Sequence, residues 1–131
     1  MSTAAVIFIT HGNAAQDMVD AVERVVGKLD VRTISVPIGE ARAETEAHIE
    51  TVVEELHADE VLFLTDLGGS TPYNLCCKKC GGTSVVLSGM NLPMLMKLAT
   101  ANRALGALTL AEELRATGLK SIHIRTAMGT K

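Results

Sequence analysis

Short apolar segments alternate along this chain with segments that have the character of amphipathic helices. The apolar runs of strand length are residues 4–10, 31–36, 61–65 and 84–88, and the helical segments that follow them are residues 14–28, 42–56, 72–80 and 92–104. Strands joined by helices run parallel with right-handed crossovers, so the pattern predicts an α/β fold. For a chain of 131 residues we expect one domain over residues 1–131, with three layers and a mostly parallel, flavodoxin-like sheet of strand order 2-1-3-4.

Capping residues indicate where several helices begin. Thr71 followed by Pro72 is typical of an N-cap and a first helical residue, and Asn91 precedes a second start of this kind. Thr109 and Glu112 have the spacing of a capping box, which predicts a last helix that ends near residue 118. Residues 121–126 then alternate apolar and polar side chains, so we expect a fifth strand at an edge of the sheet.

The charge balance and the length of the apolar runs limit the kinds of partner. A formal net charge of −3 argues against a nucleic acid or an anionic membrane surface, because both attract a basic face. No apolar run reaches the roughly 18 residues of a membrane span, and the first residues do not resemble a secretory leader. We therefore expect a cytoplasmic protein without direct membrane insertion. The cysteines at positions 76, 77 and 80 are interpreted as reduced thiols on a short helix rather than as a metal or redox site.

A histidine and an aspartate follow two strands that should be neighbours. His11 comes directly after the first apolar run, and Asp66 comes directly after the third. In the order 2-1-3-4 the carboxyl ends of strands one and three meet at the switch point, where open α/β sheets bind ligands. A carboxylate that accepts the imidazole Nδ1 proton leaves Nε2 unprotonated, which is the form that a nucleophile needs. His11 is therefore the candidate nucleophile, and Asp66 is the candidate group that orients it.

The loop after Asp66 has the features of an anion site. Gly68 and Gly69 permit close approach of the backbone, Ser70 and Thr71 supply hydroxyl groups, and a helix begins directly afterwards. A nucleophilic imidazole beside such a loop favours phosphoryl transfer, in which positioning and charge stabilisation provide most of the catalysis. Neither a P-loop nor a dinucleotide-binding glycine motif is present, so we expect no nucleotide, no other cofactor and no metal.

Three segments of the chain resemble a known family. Residues 9–12 (ITHG), 62–74 (LFLTDLGGSTPYN) and 87–95 (LSGMNLPML) are similar to the signature segments of enzyme IIA in the mannose family of the bacterial phosphoenolpyruvate:sugar phosphotransferase system. The likeness covers essentially the whole chain. It implies that a histidine-containing phosphocarrier protein phosphorylates His11 on Nε2 and that the phosphoryl group then passes to a IIB protein, which here must be separate. It also implies a homodimer in which a terminal strand, here residues 121–126, joins the partner's sheet.

The resemblance also extends the list of candidate site residues. It gives Asp66 the orienting role, and the residues expected around the phosphate are Gly12, Gly68, Gly69, Ser70 and Thr71. Supporting roles fall on Thr10, Asn74 and Asn91. The glycine pair lies one position earlier than is usual in the family and Ser70 is additional, so the sequence leaves open whether Ser70 or Thr71 contacts the phosphate.

Two other functions fit part of the pattern. Small tetrapyrrole metal chelatases also begin with an apolar strand that ends in His-Gly, and His11 would then be a metal ligand. Such an enzyme needs a second histidine at the end of a later strand, where this chain has Asp66 and Gly89. A regulator that signals through its phosphorylation state would need the same histidine as a transport component. Sugar specificity lies with other components of these systems.

Overall fold

The computed structural model describes residues 3–68, 70–78 and 83–131, with the backbone alone for residues 77 and 78. Its elements are β1 (Ala5–His11), α1 (Ala14–Val26), β2 (Arg32–Val36), α2 (Arg42–Leu56), β3 (Val61–Thr65), α3 (Thr71–Lys78), β4 (Ser84–Leu87), α4 (Leu92–Lys97), a 3-10 turn (Arg103–Leu105), α5 (Ala107–Lys120), β5 (Arg125–Thr126) and β6 (Gly129–Thr130). The four longer strands form a parallel sheet of order β2-β1-β3-β4, which confirms the predicted α/β fold and strand order.

The side chains of the sheet alternate between two apolar layers. On one face, Val6 and Phe8 of β1 pack with α1, α4 and α5, and on the other face Ile7 and Ile9 pack with α2 and α3. Each layer contains one phenylalanine and is otherwise built from aliphatic side chains and small residues, including the buried Cys76. Since successive residues of a strand point to opposite faces, His11 shares its face with Ile9 and therefore with α2 and α3. The position of His11 in this alternation therefore decides which helices surround it.

Two helix starts differ from the predictions. Ser70, not Thr71, is the capping residue of α3, because its Oγ accepts the Tyr73 N–H at 3.3 Å. The expected capping box of Thr109 and Glu112 is wrong, since α5 already begins at Ala107. The Ala107 N–H there donates to the Glu60 carboxylate at 3.0 Å. The Glu60 carboxylate, from a distant segment, therefore accepts a backbone N–H at the start of α5, where a local capping residue was expected.

The fourth helix is shorter than predicted. It begins as expected, with the Asn91 Oδ1 accepting the Met94 N–H at 3.2 Å, but it ends at Lys97 rather than near residue 104. Arg103 explains the change: its guanidinium donates to the backbone carbonyls of Leu29 and Asp30, and its own carbonyl accepts the Ala4 N–H. Burial lowers the pKa of the Arg103 guanidinium, and the Asp30 charge partly offsets that effect. These contacts hold residues 103–105 at the amino-terminal edge of the sheet, away from a continuous helix.

The C-terminal segment does not form the predicted fifth strand of the sheet. Of residues 121–126, Arg125–Thr126 form a strand, which pairs antiparallel with Gly129–Thr130 in a small hairpin. Within the described residues, β4 is hydrogen-bonded on its β3 side, so its other edge is left open. The end predicted for α3, near residue 80, lies outside the described residues. The longest described helix has 15 residues, and none in the described ranges is long and apolar enough to cross a membrane.

Candidate functional site

His11 lies at the carboxyl end of β1, directly beside Asp66. Ile9 of β1 pairs with Thr65 of β3, so Asp66 leaves the sheet next to the histidine. The His11 Nδ1 atom is 3.2 Å from the Asp66 Oδ2 atom, and the His11 backbone N–H also donates to that oxygen at 3.4 Å. The predicted pairing of these two side chains is therefore present in the structure.

The geometry sets the chemical form of the imidazole. A carboxylate can only accept, so with a neutral ring the contact requires the proton on Nδ1 and leaves a lone pair on Nε2. The His11 side chain is 51 % exposed and the Asp66 side chain is 28 % exposed. Oδ1 of Asp66 is shielded from solvent and has no hydrogen-bond partner among the described residues. The pair thus combines a half-exposed imidazole with a carboxylate that is mostly covered.

Gly12 makes the turn that ends β1. Its φ angle is +54°, in the left-handed region that favours glycine, and its N–H donates to the Val36 carbonyl at 2.9 Å. Because the Gly12 N–H is used in this bond, Gly12 links the carboxyl ends of β1 and β2.

The two hydroxyl groups of the loop between Asp66 and α3, on Ser70 and Thr71, have different surroundings. The Ser70 hydroxyl donates to the Leu67 carbonyl at 2.6 Å and accepts from Tyr73, so it is used within the loop. Thr71 is exposed, and its N–H and hydroxyl have no hydrogen-bond partner among the described residues. Gly69 lies outside the described residues. The described part of the loop therefore offers Thr71 as a hydrogen-bond donor to an anion.

Ser88 is a neighbour of this loop that sequence reasoning did not identify. A Cβ atom on Gly68 would lie 3.2 Å from the Ser88 Oγ, so the loop backbone passes close to the end of β4. The Met90 N–H also donates to the Thr65 carbonyl at 3.3 Å. No local sequence pattern indicates this role for Ser88, because its closeness to Gly68 follows from the order of the strands in the sheet.

The three supporting residues lie in different places. The Thr10 hydroxyl is buried and accepts the Ala15 N–H at 2.8 Å, which caps α1 on the opposite face of the sheet from His11. Asn74 lies in α3, and its backbone N–H donates to the Ser70 carbonyl at 2.9 Å. Asn91 caps α4 beside a cavity of about 330 Å³ that also borders Tyr73 and Gly89. Thr10 and Asn91 thus act on helix starts, while Asn74 belongs to the helix that follows the loop.

This is an α/β protein with a histidine–aspartate pair at the switch point of its sheet, and comparison with known proteins gives its family. Residues 5–115 match the family model described as the PTS system fructose IIA component, where PTS is the phosphotransferase system. The match spans most of the chain. The protein therefore belongs to the mannose-family enzyme IIA components of the sugar phosphotransferase system.

Individual relatives agree with this assignment. The sorbose-specific EIIA component of Klebsiella pneumoniae is 28 % identical over 116 residues, which cover 84 % of this chain and 83 % of that protein. The PTS IIA protein associated with the fucose utilization operon of Streptococcus pneumoniae is 27 % identical, with a TM-score of 0.78 and coverage of 93 % and 94 % of the two chains. A mannose/sorbose-specific IIA subunit from Enterococcus faecalis shares the fold, with a TM-score of 0.87, 24 % identity and coverage of 95 % and 96 %.

Membership of the family places the protein in phosphoryl transfer for sugar uptake, as a relay component of transferase type. The tetrapyrrole chelatase alternative is not favoured by these matches. In the described ranges, no three His, Cys, Asp or Glu side chains lie close enough together to hold a metal ion.

Proposed function

We propose that His11 is the phosphorylated residue of this enzyme IIA. It takes the phosphoryl group from the histidine-containing phosphocarrier protein on Nε2 and passes it to a separate IIB protein. The observation that carries the proposal is the 3.2 Å contact between Nδ1 and Asp66, because it leaves the Nε2 lone pair of a half-exposed ring as the nucleophile.

The transfer step follows from this geometry. The Nε2 lone pair attacks phosphorus while the bond between phosphorus and the donor's histidine nitrogen breaks, and the electron pair of that bond returns to the donor nitrogen. The Nδ1 proton stays in place during attack. The imidazole ring becomes cationic as the new bond forms, and the Asp66 carboxylate stabilises this charge at a fixed distance. Transfer to the IIB protein reverses the same sequence of bond changes.

The start of α3 supports the phosphoryl group in this proposal. Thr71 supplies a hydroxyl and a backbone N–H at a helix N-terminus, where the helix dipole favours an anion. Ser70 holds the loop in shape through its bonds to Leu67 and Tyr73. We therefore assign the phosphate contact to Thr71 and a structural role to Ser70.

Phosphorylation by the purified upstream proteins tests the proposal. The chain is incubated with radiolabelled phosphoenolpyruvate, enzyme I and the phosphocarrier, and acid-labile label on the protein is measured. Wild type should be labelled and His11→Ala should not. His48→Ala is the matched control, because His48 is also exposed but lies on α2. Undiminished labelling of His11→Ala, or an unlabelled wild type, would refute the assignment.

A homodimer is also part of the proposal. The open edge of β4 borders the cavity of about 330 Å³, whose walls include Val86, Leu119 and Ile122. The C-terminal segment exposes large apolar side chains at Ile122, Ile124 and Met128. An open strand edge beside exposed apolar residues favours pairing with a second copy. We propose that residues 121–126 add to the partner's sheet at this edge, where they would form the strand that the sequence predicts.

A further inference from the structure

The buried polar residues of the described part of the chain are the three threonines at positions 10, 45 and 65. The Thr10 hydroxyl accepts the Ala15 N–H at 2.8 Å, and the Thr45 hydroxyl donates to the Glu40 carboxylate at 2.7 Å. The Thr65 hydroxyl is shielded from solvent, and it has no hydrogen-bond partner among the described residues. A hydroxyl buried in this way is costly, because it gives up its bonds to water without replacing them.

The next residue carries a second shielded atom of this kind. Oδ2 of Asp66 accepts the His11 N–H and lies 3.2 Å from Nδ1, whereas Oδ1 is shielded and has no partner among the described residues. The Thr65 hydroxyl can donate a hydrogen bond, and a carboxylate oxygen can only accept one. The two shielded atoms, on consecutive residues, are therefore chemically complementary.

The sheet places Thr65 one step inside the contact between the histidine and the aspartate. Thr65 is the register partner of Ile9, and Val61 and Phe63 of β3 pack in the same apolar layer as Ile9. Because side chains alternate along a strand, Thr65 and His11 lie on this same face. Residues two positions apart in a strand are separated by roughly 6.6 Å along it. One water molecule with two hydrogen bonds spans about 5.6 Å, which is the right length to join the Thr65 hydroxyl to the carboxylate beside His11.

We propose that Thr65 is a positioning residue for phosphoryl transfer, and that its hydroxyl supports Oδ1 of Asp66 through one internal water molecule. This inference rests on the proposed function of His11. The water accepts from the Thr65 hydroxyl and donates to Oδ1, so both shielded atoms gain a partner. With Oδ2 bonded to His11 and Oδ1 bonded to the water, the carboxylate cannot turn about its Cβ–Cγ bond. Nδ1 therefore stays aligned with its acceptor when the phosphoryl donor arrives.

Loss of the Thr65 hydroxyl should slow phosphorylation of His11. Asp66 would keep its charge but could turn, so Nδ1 would be without its acceptor for part of the time. The ring proton would then also occupy Nε2, where it blocks the attacking lone pair. Misplacement of a reacting group by about 1 Å can cost a hundredfold in rate, and we expect about tenfold here because the carboxylate itself remains.

The test compares variants of Thr65 that differ in the hydroxyl. Thr65→Val keeps the shape of the side chain, while Thr65→Ser and Thr65→Ala both lose the methyl group and differ from each other by the hydroxyl alone. Thr45→Val is the matched control, because it removes another buried hydroxyl, whose partner is Glu40. The labelling rate of His11 and the nitrogen chemical shifts of its imidazole are measured for each folded variant.

The hydroxyl should decide both measurements. We expect Thr65→Val and Thr65→Ala to be labelled about tenfold more slowly than wild type, with shifts that move toward the tautomer protonated on Nε2. Thr65→Ser should retain most of the rate and the wild-type shifts, and Thr45→Val should match wild type in both. A crystal structure of the wild-type protein at high resolution should show a water molecule within about 3 Å of Thr65 Oγ1 and of Asp66 Oδ1.

The outcomes separate this inference from the function on which it rests. Wild-type rates and shifts in Thr65→Val or Thr65→Ala would overturn the positioning role while leaving His11 phosphorylation intact. Equal losses in Thr65→Ser and Thr65→Ala would overturn it as well, because the methyl group and not the hydroxyl would then be responsible. A crystal structure without a water between the two atoms would overturn the bridge. A wild-type protein that is not labelled at all would overturn the proposed function and the role of Thr65 together.

Discussion

The Nδ1 atom of His11 lies 3.2 Å from the Oδ2 atom of Asp66, although the two residues are 55 positions apart in the chain. Parallel pairing of β1 with β3 brings them together, since Ile9 and Thr65 are register partners and each side chain lies just beyond its strand. A second bond, from the His11 N–H, holds the same carboxylate oxygen at 3.4 Å. The orientation of the imidazole is therefore set by the sheet.

Asp66→Asn should slow phosphorylation of His11 by roughly a hundredfold or more. The asparagine amide can donate to Nδ1, which moves the ring proton to Nε2 and blocks the attacking lone pair. Nitrogen chemical shifts of the imidazole should report the change of tautomer. Asp17→Asn, an exposed change in the first turn of α1, is the control and should leave rate and tautomer unchanged. An unaltered rate in Asp66→Asn would contradict the orienting role.

Ser70 and Thr71 should respond differently when their hydroxyls are removed. Thr71→Val should lower the transfer rate about tenfold or more with little effect on stability, because an exposed donor to the phosphoryl group is lost. Ser70→Ala should lower the free energy of unfolding by about 1 kcal/mol, since Tyr73 loses its capping partner. Urea unfolding and the labelling rate measure the two effects. Full activity in Thr71→Val would contradict its assignment to the phosphate.

Thr10→Val should destabilise the protein by about 1–2 kcal/mol. The Ala15 N–H would remain buried without its present acceptor, the Thr10 hydroxyl, because Asn13 makes no side-chain cap at this helix. Urea unfolding gives the change in free energy. Thr100→Val removes an exposed hydroxyl that donates to the Lys97 carbonyl, and it should cost far less. Equal losses in the two variants would argue against a special role for the Thr10 cap.

Gly68→Ala should slow phosphoryl transfer, and Ser88→Ala should restore part of the rate. The new Cβ would lie 3.2 Å from the Ser88 Oγ, which forces the loop or the serine to shift. Without Oγ, the next contact is the Cβ of residue 88 at 3.8 Å, an ordinary distance. A double-mutant cycle on the labelling rate measures this coupling. Purely additive effects would show that the close approach does not position the loop.

Removal of residues 121–131 should convert a dimer to a monomer if the C-terminal segment pairs with the open edge of β4. Sedimentation of the full chain and the shortened chain measures the state of each. Met128→Ser is a milder comparison, because Met128 is exposed but lies beyond residues 121–126. A full-length chain that is monomeric would contradict the dimer, and a shortened chain that remains dimeric would contradict this mode of association.

The elements that were predicted well are those with strong local signals. The bounds of α2 and β3 agree with the structure because each has a clear periodicity or a continuous apolar run. The start of α4 agrees because Asn91 caps it through its own side chain. Where a helix start depends on a distant partner, as Ala107 does on Glu60, the local sequence suggested a different residue.

The closeness of Ser88 to the loop after Asp66 was not predicted from the sequence. No local pattern indicates it, because the approach of Ser88 to Gly68 depends on β4 lying beside β3.

The sequence by itself determined the alternation of strands and helices, the parallel sheet and the two side chains that meet at its switch point. These follow from hydrophobic periodicity and from chain connectivity, which act over short distances or through simple topology. Only the tertiary structure decided that Ser70 caps α3 while Thr71 is exposed, that Arg103 ends the fourth helix early, and that the C-terminal residues form a hairpin. The Arg103 contacts join segments that are far apart in the chain, so the local sequence does not record them. The cap of α3 and the hairpin use near neighbours, for which the sequence offers more than one compatible partner.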